Sequence, residues 1–267
     1  KFKHKYMSVF EKYKLKQEYE NYTEEDHKVW SILYKKQMEH LPNIANQAYL
    51  DGMKHIHFKA NEIPRFDVVN REMSKLTGWN IFVVPGLVPN NEFFYLMSNR
   101  FFPCSTWLRS MAQLKYIEEP DMFHDVFGHL PMLTEPFFCN YLKEISAITL
   151  EHLGNRNIVE IMARLYWYTI EFGMIYEKNA LKIYGAGIMS SAGESRYCTG
   201  NVPNHVAYDV QRIFETPYVR DRFQDTYFVI DSFEQLTDSL PKIREIINFY
   251  IKNNVEVSLS YADSYSA

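Results

Sequence analysis

The sequence predicts one mostly α-helical domain with a few short strands, and three observations predict it. Apolar residues recur at helical spacing over several long stretches, most densely over 136–153 and 158–176. Helix start signals precede these stretches at Thr23, Pro64, Asn90-Asn91 and Asp121. No repeat, low-complexity tract or Pro/Gly/Ser-rich linker divides the 267 residues, and 46% hydrophobic content supplies a single core.

In chain order, Thr23-Glu-Glu-Asp26 has the form of a capping box opening a helix through Met38. Leu41-Pro42 interrupts it, and a second helix runs roughly over 44–56. Pro64 suits the first turn of a third, which ends near Gly78. Residues 79–84 are short and β-rich and close at Pro85-Gly86, as a strand or extended loop would. Asn90-Asn91 starts a helix over 93–100. Further helices are expected near 121–130, 136–153, 157–180, 203–214 and 232–252, with short strands at 105–109 and 225–230.

Composition excludes several classes. A net charge of -4 leaves no electrostatic footprint for nucleic acid. No run of eighteen apolar residues exists, so no membrane-spanning helix is expected. The basic start (Lys1, Lys3, Lys5 and the 12–16 region) lacks the apolar stretch of a secretory signal and reads as a solvated arm over 1–20. Three scattered cysteines, Cys104, Cys139 and Cys198, suit a reducing cytoplasm.

The chemistry shows in Pro120-Asp-Met-Phe-His-Asp-Val-Phe-Gly-His-Leu-Pro131. Asp121 is a good N-cap for a helix carrying His124 and His129. Neutral imidazole is the commonest metal ligand, so a histidine pair rooted in apolar sequence suggests a metal site. The bland alternative is one core histidine and one surface histidine. On an ideal helix five residues turn a side chain by about 140°, so the two rings do not share a face. They converge only if the first lies at the frayed helix start or the turn near Gly128 is distorted. The zincin pattern His-Glu-x-x-His is absent, and no C-x-x-C pair offers thiolates. A carboxylate must complete the set, and two histidines plus one carboxylate with open positions point to non-haem Fe(II).

Three glutamates compete. Glu177 sits beside Lys178 and reads as solvated. Glu160 lies one turn before Arg164 and reads as an ion pair. Glu171, between Ile170 and Phe172 in the most apolar part of its helix, has no local partner, and an ionised carboxylate there needs a cation or a metal.

The 120–131 run resembles the iron-binding motif of the pterin-dependent aromatic amino acid hydroxylases. Thr77-Gly-Trp79, Val84-Pro-Gly-Leu-Val-Pro89 and Phe93-Phe94 resemble that family's pterin approach, and Phe101-Phe-Pro103 with Trp107-Leu-Arg109 resembles its substrate-arginine strand. Tyr166-Trp-Tyr-Thr-Ile-Glu-Phe-Gly173 resembles the segment with the third ligand, and Gly185-Ala-Gly-Ile-Met-Ser-Ser191 its neighbour. Phe223-Gln224 and Tyr227-Phe-Val-Ile-Asp-Ser-Phe233 continue the match, so the resemblance covers about the whole of a catalytic domain over 21–267. In size and pattern it is strongest to the short bacterial, phenylalanine-hydroxylating members.

The resemblance implies Fe(II) held by His124, His129 and Glu171, and tetrahydrobiopterin or a related reduced pterin against Val88, Phe93, Asp125 and Tyr166. It implies a substrate site of Arg109, Glu119, Trp167, Phe172, Ser190 and Tyr218, with the Arg109 guanidinium on the substrate carboxylate. The implied reaction is a monooxygenation of L-phenylalanine to L-tyrosine with O2. Two features depart from the animal enzymes: Ile117 replaces a hydroxyl-bearing residue, and Arg220 and Arg222 border the substrate mouth. The chain lacks their regulatory and tetramerisation segments, so a monomer or dimer is expected. Gly185-Ala-Gly-Ile-Met-Ser superficially resembles a dinucleotide loop, but it lacks the last glycine and is expected to follow a helix rather than a strand. Rival readings are a tryptophan or tyrosine hydroxylase of the same family, a zinc hydrolase using the same His/His/Glu set, and a non-enzymatic helical binding module.

Overall fold

The computed structural model describes residues 9–260 except 116 and 118. Lys1, Lys3 and Lys5 of the expected arm, and 261–267 at the other end, lie outside the described residues. Where it is described, the arm is not solvated as expected but packed at Val9 and Phe10. Val9 is 1% exposed because the two bury apolar surface against Val84, Leu96 and the rings of Phe82 and Phe101. The capping box at Thr23 forms as the spacing predicts: the Asp26 amide donates to Thr23 Oγ1 and the Thr23 amide to Asp26 Oδ2, opening helix Glu24–Met38. Val29, Trp30 and Leu33 form its buried face. The helix expected over 44–56 forms as one shorter helix, and the expected interruption at Leu41-Pro42 is itself a short helix. Leu41–Ile44 carries Pro42 in its first turn, and Gln47–His55 restarts under the Asn46 side chain. Helix Phe66–Leu76 follows Pro64.

Strand β1 (Asn80–Val83), helix Asn90–Ser98 and strand β2 (Phe101–Cys104) form a right-sized crossover, and the two strands pair in parallel. The strand expected at 105–109 is therefore displaced to 101–104, and residues 105–109 are an extended loop leaving its end. Pro103 is tolerated in β2 because in a two-stranded sheet it needs to donate nothing to an outer neighbour. The crossover matters because it sets the loop 84–89 and the helix bearing Phe93 on one side of the site, with Arg109 on the other.

The long apolar helix expected over 157–180 ends sooner. Helix Arg156–Tyr166 passes into a π-helical turn, Trp167–Glu171, and then into the antiparallel hairpin β3 (Met174–Glu177) and β4 (Ala180–Ile183). Gly173 marks the exit: a Cβ there would lie 2.2 Å from the Tyr184 ring and 2.3 Å from the Thr169 carbonyl oxygen. Lys178 and Asn179 take positive φ, 51° and 63°, as a two-residue hairpin turn of the primed type requires.

Two other expected helices are corrected in the same way. Residues 204–207 are strand β5 (Asn204–Ala207), and the helix begins only after the Asp209 cap, at Val210–Glu215. The segment 232–252 is two helices, Phe233–Asp238 and Leu240–Lys252, divided where Pro241 cannot continue a helix. Strand β6 (Thr226–Ile230) is where it was expected. The second sheet runs β4-β3-β6-β5, with β6 parallel to both neighbours. Helix Pro136–Glu151 packs against Asn90–Ser98 and Phe233–Asp238 at the centre of one large apolar core. A smaller apolar cluster joins Val9 to Val84 and Leu96.

Candidate metal centre and active site

The five-residue spacing of the histidines is resolved by backbone geometry. Residues Phe123–His129 form a π-helix, whose wider turn brings position i+5 back over position i. Asp121 sits before it and accepts from the His124 amide at 3.2 Å, as the N-cap reading expects. Gly128 makes the packing possible, because a Cβ there would press to 2.9 Å on the Ala186 carbonyl oxygen. The second π turn, Trp167–Glu171, delivers Glu171 to the same point from the opposite side.

His124 Nε2 and His129 Nε2 are 3.3 Å apart. Glu171 places one oxygen 3.2 Å from His129 Nε2 and the other 3.7 Å from His124 Nε2. Among the described residues these three form a group whose ligand atoms all lie within 4.8 Å of one another. The other ring nitrogen of His124 bonds Ser190 Oγ at 2.8 Å, which fixes the ring's orientation. His129 is buried against Phe102, with ring centroids 4.6 Å apart. Burial pushes His124 down to about 4, leaving a neutral imidazole with a lone pair to give. Burial would push Glu171 up, but the facing His129 and His124 outweigh it and hold the carboxyl at about 2. Two imidazole nitrogens and a buried carboxylate within 4.8 Å of one another are the donor set a divalent ion takes, so the residues fit iron.

The rejected carboxylates are occupied elsewhere. Glu160 pairs with Arg164 at 2.9 Å, as the i, i+4 spacing predicts. Glu177, expected to be solvated, accepts from the Gln47 amide at 3.1 Å.

Two cavities meet at the ligand set. One, of about 290 Å³, is lined by Val88, Phe93, Asp125 and Tyr166 together with all three ligands. Phe93 and Tyr166 stand edge to face, 5.7 Å between centroids. Asp125 accepts from the Ser105 amide and hydroxyl at 2.8 and 3.0 Å, and burial pushes its carboxyl up to about 7. The other cavity, of about 650 Å³, is lined by Arg109, Glu119, Trp167, Phe172 and Ser190 with His124 and Glu171. Trp167 stacks on Tyr218 at 4.5 Å and meets Phe172 at a tilt, 4.6 Å between centroids, so Tyr218 supports this wall while itself facing the smaller cavity. Glu119 is exposed at the rim.

Each expected site residue thus lies at one of these walls, but two partnerships were not legible. Arg109 is buried, and its Nε and NH2 both donate to Asp121, at 2.8 Å each. Asp121 therefore cannot be described by its capping role alone. Gln224 accepts from the Trp167 indole at 3.0 Å and donates to the Val219 carbonyl, tying the wall to the 218–222 loop. Phe223-Gln224 stood out only within the family resemblance; no spacing rule singles out its amide. Arg220 donates to Tyr218 Oη at 3.0 Å, with its guanidinium 5.8 Å from the Trp167 ring.

Fold and site together define a helical domain around a mononuclear two-histidine, one-carboxylate centre. The chain belongs to the biopterin-dependent aromatic amino acid hydroxylase family, whose model matches residues 2–262. It is 44% identical over 228 residues to the phenylalanine-4-hydroxylase of Chromobacterium violaceum, covering 84% of this chain and 76% of that one. It is 45% identical over 226 residues to the enzyme of the same name from Ralstonia nicotianae, covering 84% and 72%. The crystal structure of the C. violaceum enzyme with iron(III) and oxidised 7,8-dihydrobiopterin matches at a TM-score of 0.84 and 40% identity, over 94% of this chain and 90% of that one. A structure of that enzyme with iron and phenylalanine matches at 0.80 and 41%, over 88% and 87%. Family membership sets aside the zinc hydrolase and the helical binding module. Among the described residues, no helix is long and apolar enough to cross a membrane.

Proposed function

We propose that this chain is an iron- and tetrahydropterin-dependent monooxygenase that converts L-phenylalanine and O2 to L-tyrosine. The observation that carries this reading is the convergence of His124, His129 and Glu171 where the two cavities meet. When bound, iron and the reduced pterin supply oxygen activation and two electrons.

The chain's own residues bind, orient and shield. His124, His129 and Glu171 would hold the ion where both cavities reach it. Ser190 holds His124 with Nε2 turned to His129 and Glu171, where it would meet the metal. Phe93, Val88 and Tyr166 would line the pterin's place in the smaller cavity, with Asp125 as its acidic group. In the larger cavity Arg109, held in plane by Asp121, presents its remaining N–H groups to the amino acid carboxylate. Trp167 and Phe172 form an apolar wall for the aromatic ring and exclude water from it.

That apolar wall favours phenylalanine over tyrosine, whose hydroxyl would be buried without a matched partner. The test competes phenylalanine, tyrosine and tryptophan in one assay with Fe(II), tetrahydrobiopterin and oxygen. Tyrosine formation from phenylalanine at the highest kcat/KM is expected; a higher value for tyrosine or tryptophan refutes the substrate assignment. We read the chain as a cytoplasmic monomer or dimer, and its described cysteines are free and buried. Sedimentation of the purified protein tests the oligomeric part.

A further inference from the structure

The segment 9–13 packs against the elements that carry the proposed pterin contacts. Residues 9–12 form a helical turn, closed by the Tyr13 amide on the Val9 carbonyl at 3.2 Å. Val9 is 1% exposed and shares the small apolar cluster with Val84 and Leu96, to which Phe10, Tyr13 and Val88 add their side chains. Phe10 meets the Phe101 ring of β2 at 5.2 Å and the Phe82 ring of β1 at 5.3 Å, both edge to face. Polar contacts then fix the register. Lys12 Nζ reaches both oxygens of Glu92, at 2.9 and 3.2 Å, and Tyr13 Oη donates to Glu92 Oε2 at 2.7 Å. Glu92 precedes Phe93 on the same helix, and its side chain is only 13% exposed.

The packing gives the segment two handles on one wall. Val88 sits in the loop 84–89, which contains two prolines and a glycine, and it gains its apolar neighbours partly from the segment 9–13. Phe93 stands on the first turns of helix Asn90–Ser98, the part freest to fray, where Glu92 is held by a cation and a phenol from about eighty residues away. Ordering both before the cofactor arrives lowers the entropy lost on binding it.

We infer that residues 9–13 are a positioning clamp for the pterin-facing wall, acting on Val88 through apolar packing and on Phe93 through the Glu92 anchor. This rests on the cofactor reading above. It predicts an effect on pterin affinity that leaves the opposite, amino acid-binding wall untouched.

The test uses the full chain loaded with iron and the double variant Lys12→Met/Tyr13→Phe, which removes both polar contacts and keeps the apolar bulk. Titration with 7,8-dihydrobiopterin, followed by calorimetry, should show Kd raised about three- to tenfold, the range expected for losing one half-exposed ion pair and one charged hydrogen bond. The phenylalanine Kd and the iron content should be unchanged, and in turnover KM for the pterin should rise while kcat holds. Lys12→Arg, which keeps the charge on Glu92, should bind the pterin as the parent does. An unchanged dihydrobiopterin Kd in the double variant, or parallel weakening of pterin and phenylalanine, overturns the clamp alone. A parent protein that does not bind dihydrobiopterin overturns the cofactor reading and the clamp with it.

Discussion

Arg109→Met is the substitution that separates a structural arginine from a substrate-binding one. Arg109 is 8% exposed, and its partner Asp121 is fully buried. Asp121 accepts from Arg109 Nε and NH2 and from the amides of Arg109 and His124. Removing the guanidinium leaves a buried carboxylate with two amide donors and no counter-charge, which costs about 3–5 kcal/mol. For a chain of this length that lowers Tm by roughly 6–20 °C. If Arg109 also holds the substrate carboxylate, kcat/KM for phenylalanine falls by about 2–5 kcal/mol, thirtyfold or more. The single variant confounds the two effects, so the informative comparison is Arg109→Met/Asp121→Asn. Asparagine carries no charge and keeps one acceptor oxygen, enough for one of the two amides, which reach different carboxylate oxygens, so part of the lost stability should return. Catalytic efficiency should not. Calorimetric melts and steady-state kinetics on both variants read the two quantities separately. A double variant with parental kcat/KM refutes the substrate role, and a single variant with parental Tm refutes the buried-pair argument.

Three further outcomes follow from the geometry. Glu171→Ala should lower the iron-to-protein ratio and abolish turnover while the far-ultraviolet circular dichroism is kept, because the core does not depend on the carboxylate; full iron occupancy would remove Glu171 from the ligand set. Gly185→Ala puts a Cβ 2.4 Å from the Glu171 carbonyl oxygen and 2.5 Å from the Gly173 nitrogen, both backbone. A shift of the segment carrying Glu171 should cost about 1–3 kcal/mol and weaken iron binding, and a variant with parental melting and iron affinity would show the close approach to be harmless. Burial raises the Glu194 carboxyl above its ordinary range, so the folded chain keeps a proton that the unfolded chain releases. Stability from this group is complete below the ordinary glutamate value and is lost as pH rises through the raised folded one. Glu194→Gln, which still accepts from Tyr227 and the Gln224 amide, should therefore flatten the fall in Tm over that window; an unchanged slope would assign the pH dependence elsewhere.

Much of the site was legible because its chemistry is local. The histidine pair, the glutamate stranded among apolar residues and the Asp121 cap are written within a few turns of chain, where burial and spacing can be weighed directly. The fold was legible where capping and periodicity agree, as at Thr23 and over 136–151. It failed where an apolar run changed structure without changing composition. Residues 157–180 read as one helix because Met174-Ile-Tyr suits a buried helix and a strand equally well. The Leu240-Pro241 break was marked by a proline that the periodicity masked.

The sequence by itself determined the ligand types, the apolar setting that makes their charge states suit a metal, and the mostly helical single core. These depend on residue identity and near neighbours. Tertiary structure decided how the ligands meet. An α-helix would have set His124 and His129 about 140° apart, and only the π turn, locked by Gly128 against Ala186, brings both rings to Glu171. It also decided that Arg109 is held by Asp121 twelve residues on, that Gln224 fixes Trp167, and that Lys12 and Tyr13 grip Glu92 across about eighty residues. Such pairs carry no periodic signal, because the distance between their partners is set by how whole elements pack and not by the turn of one element.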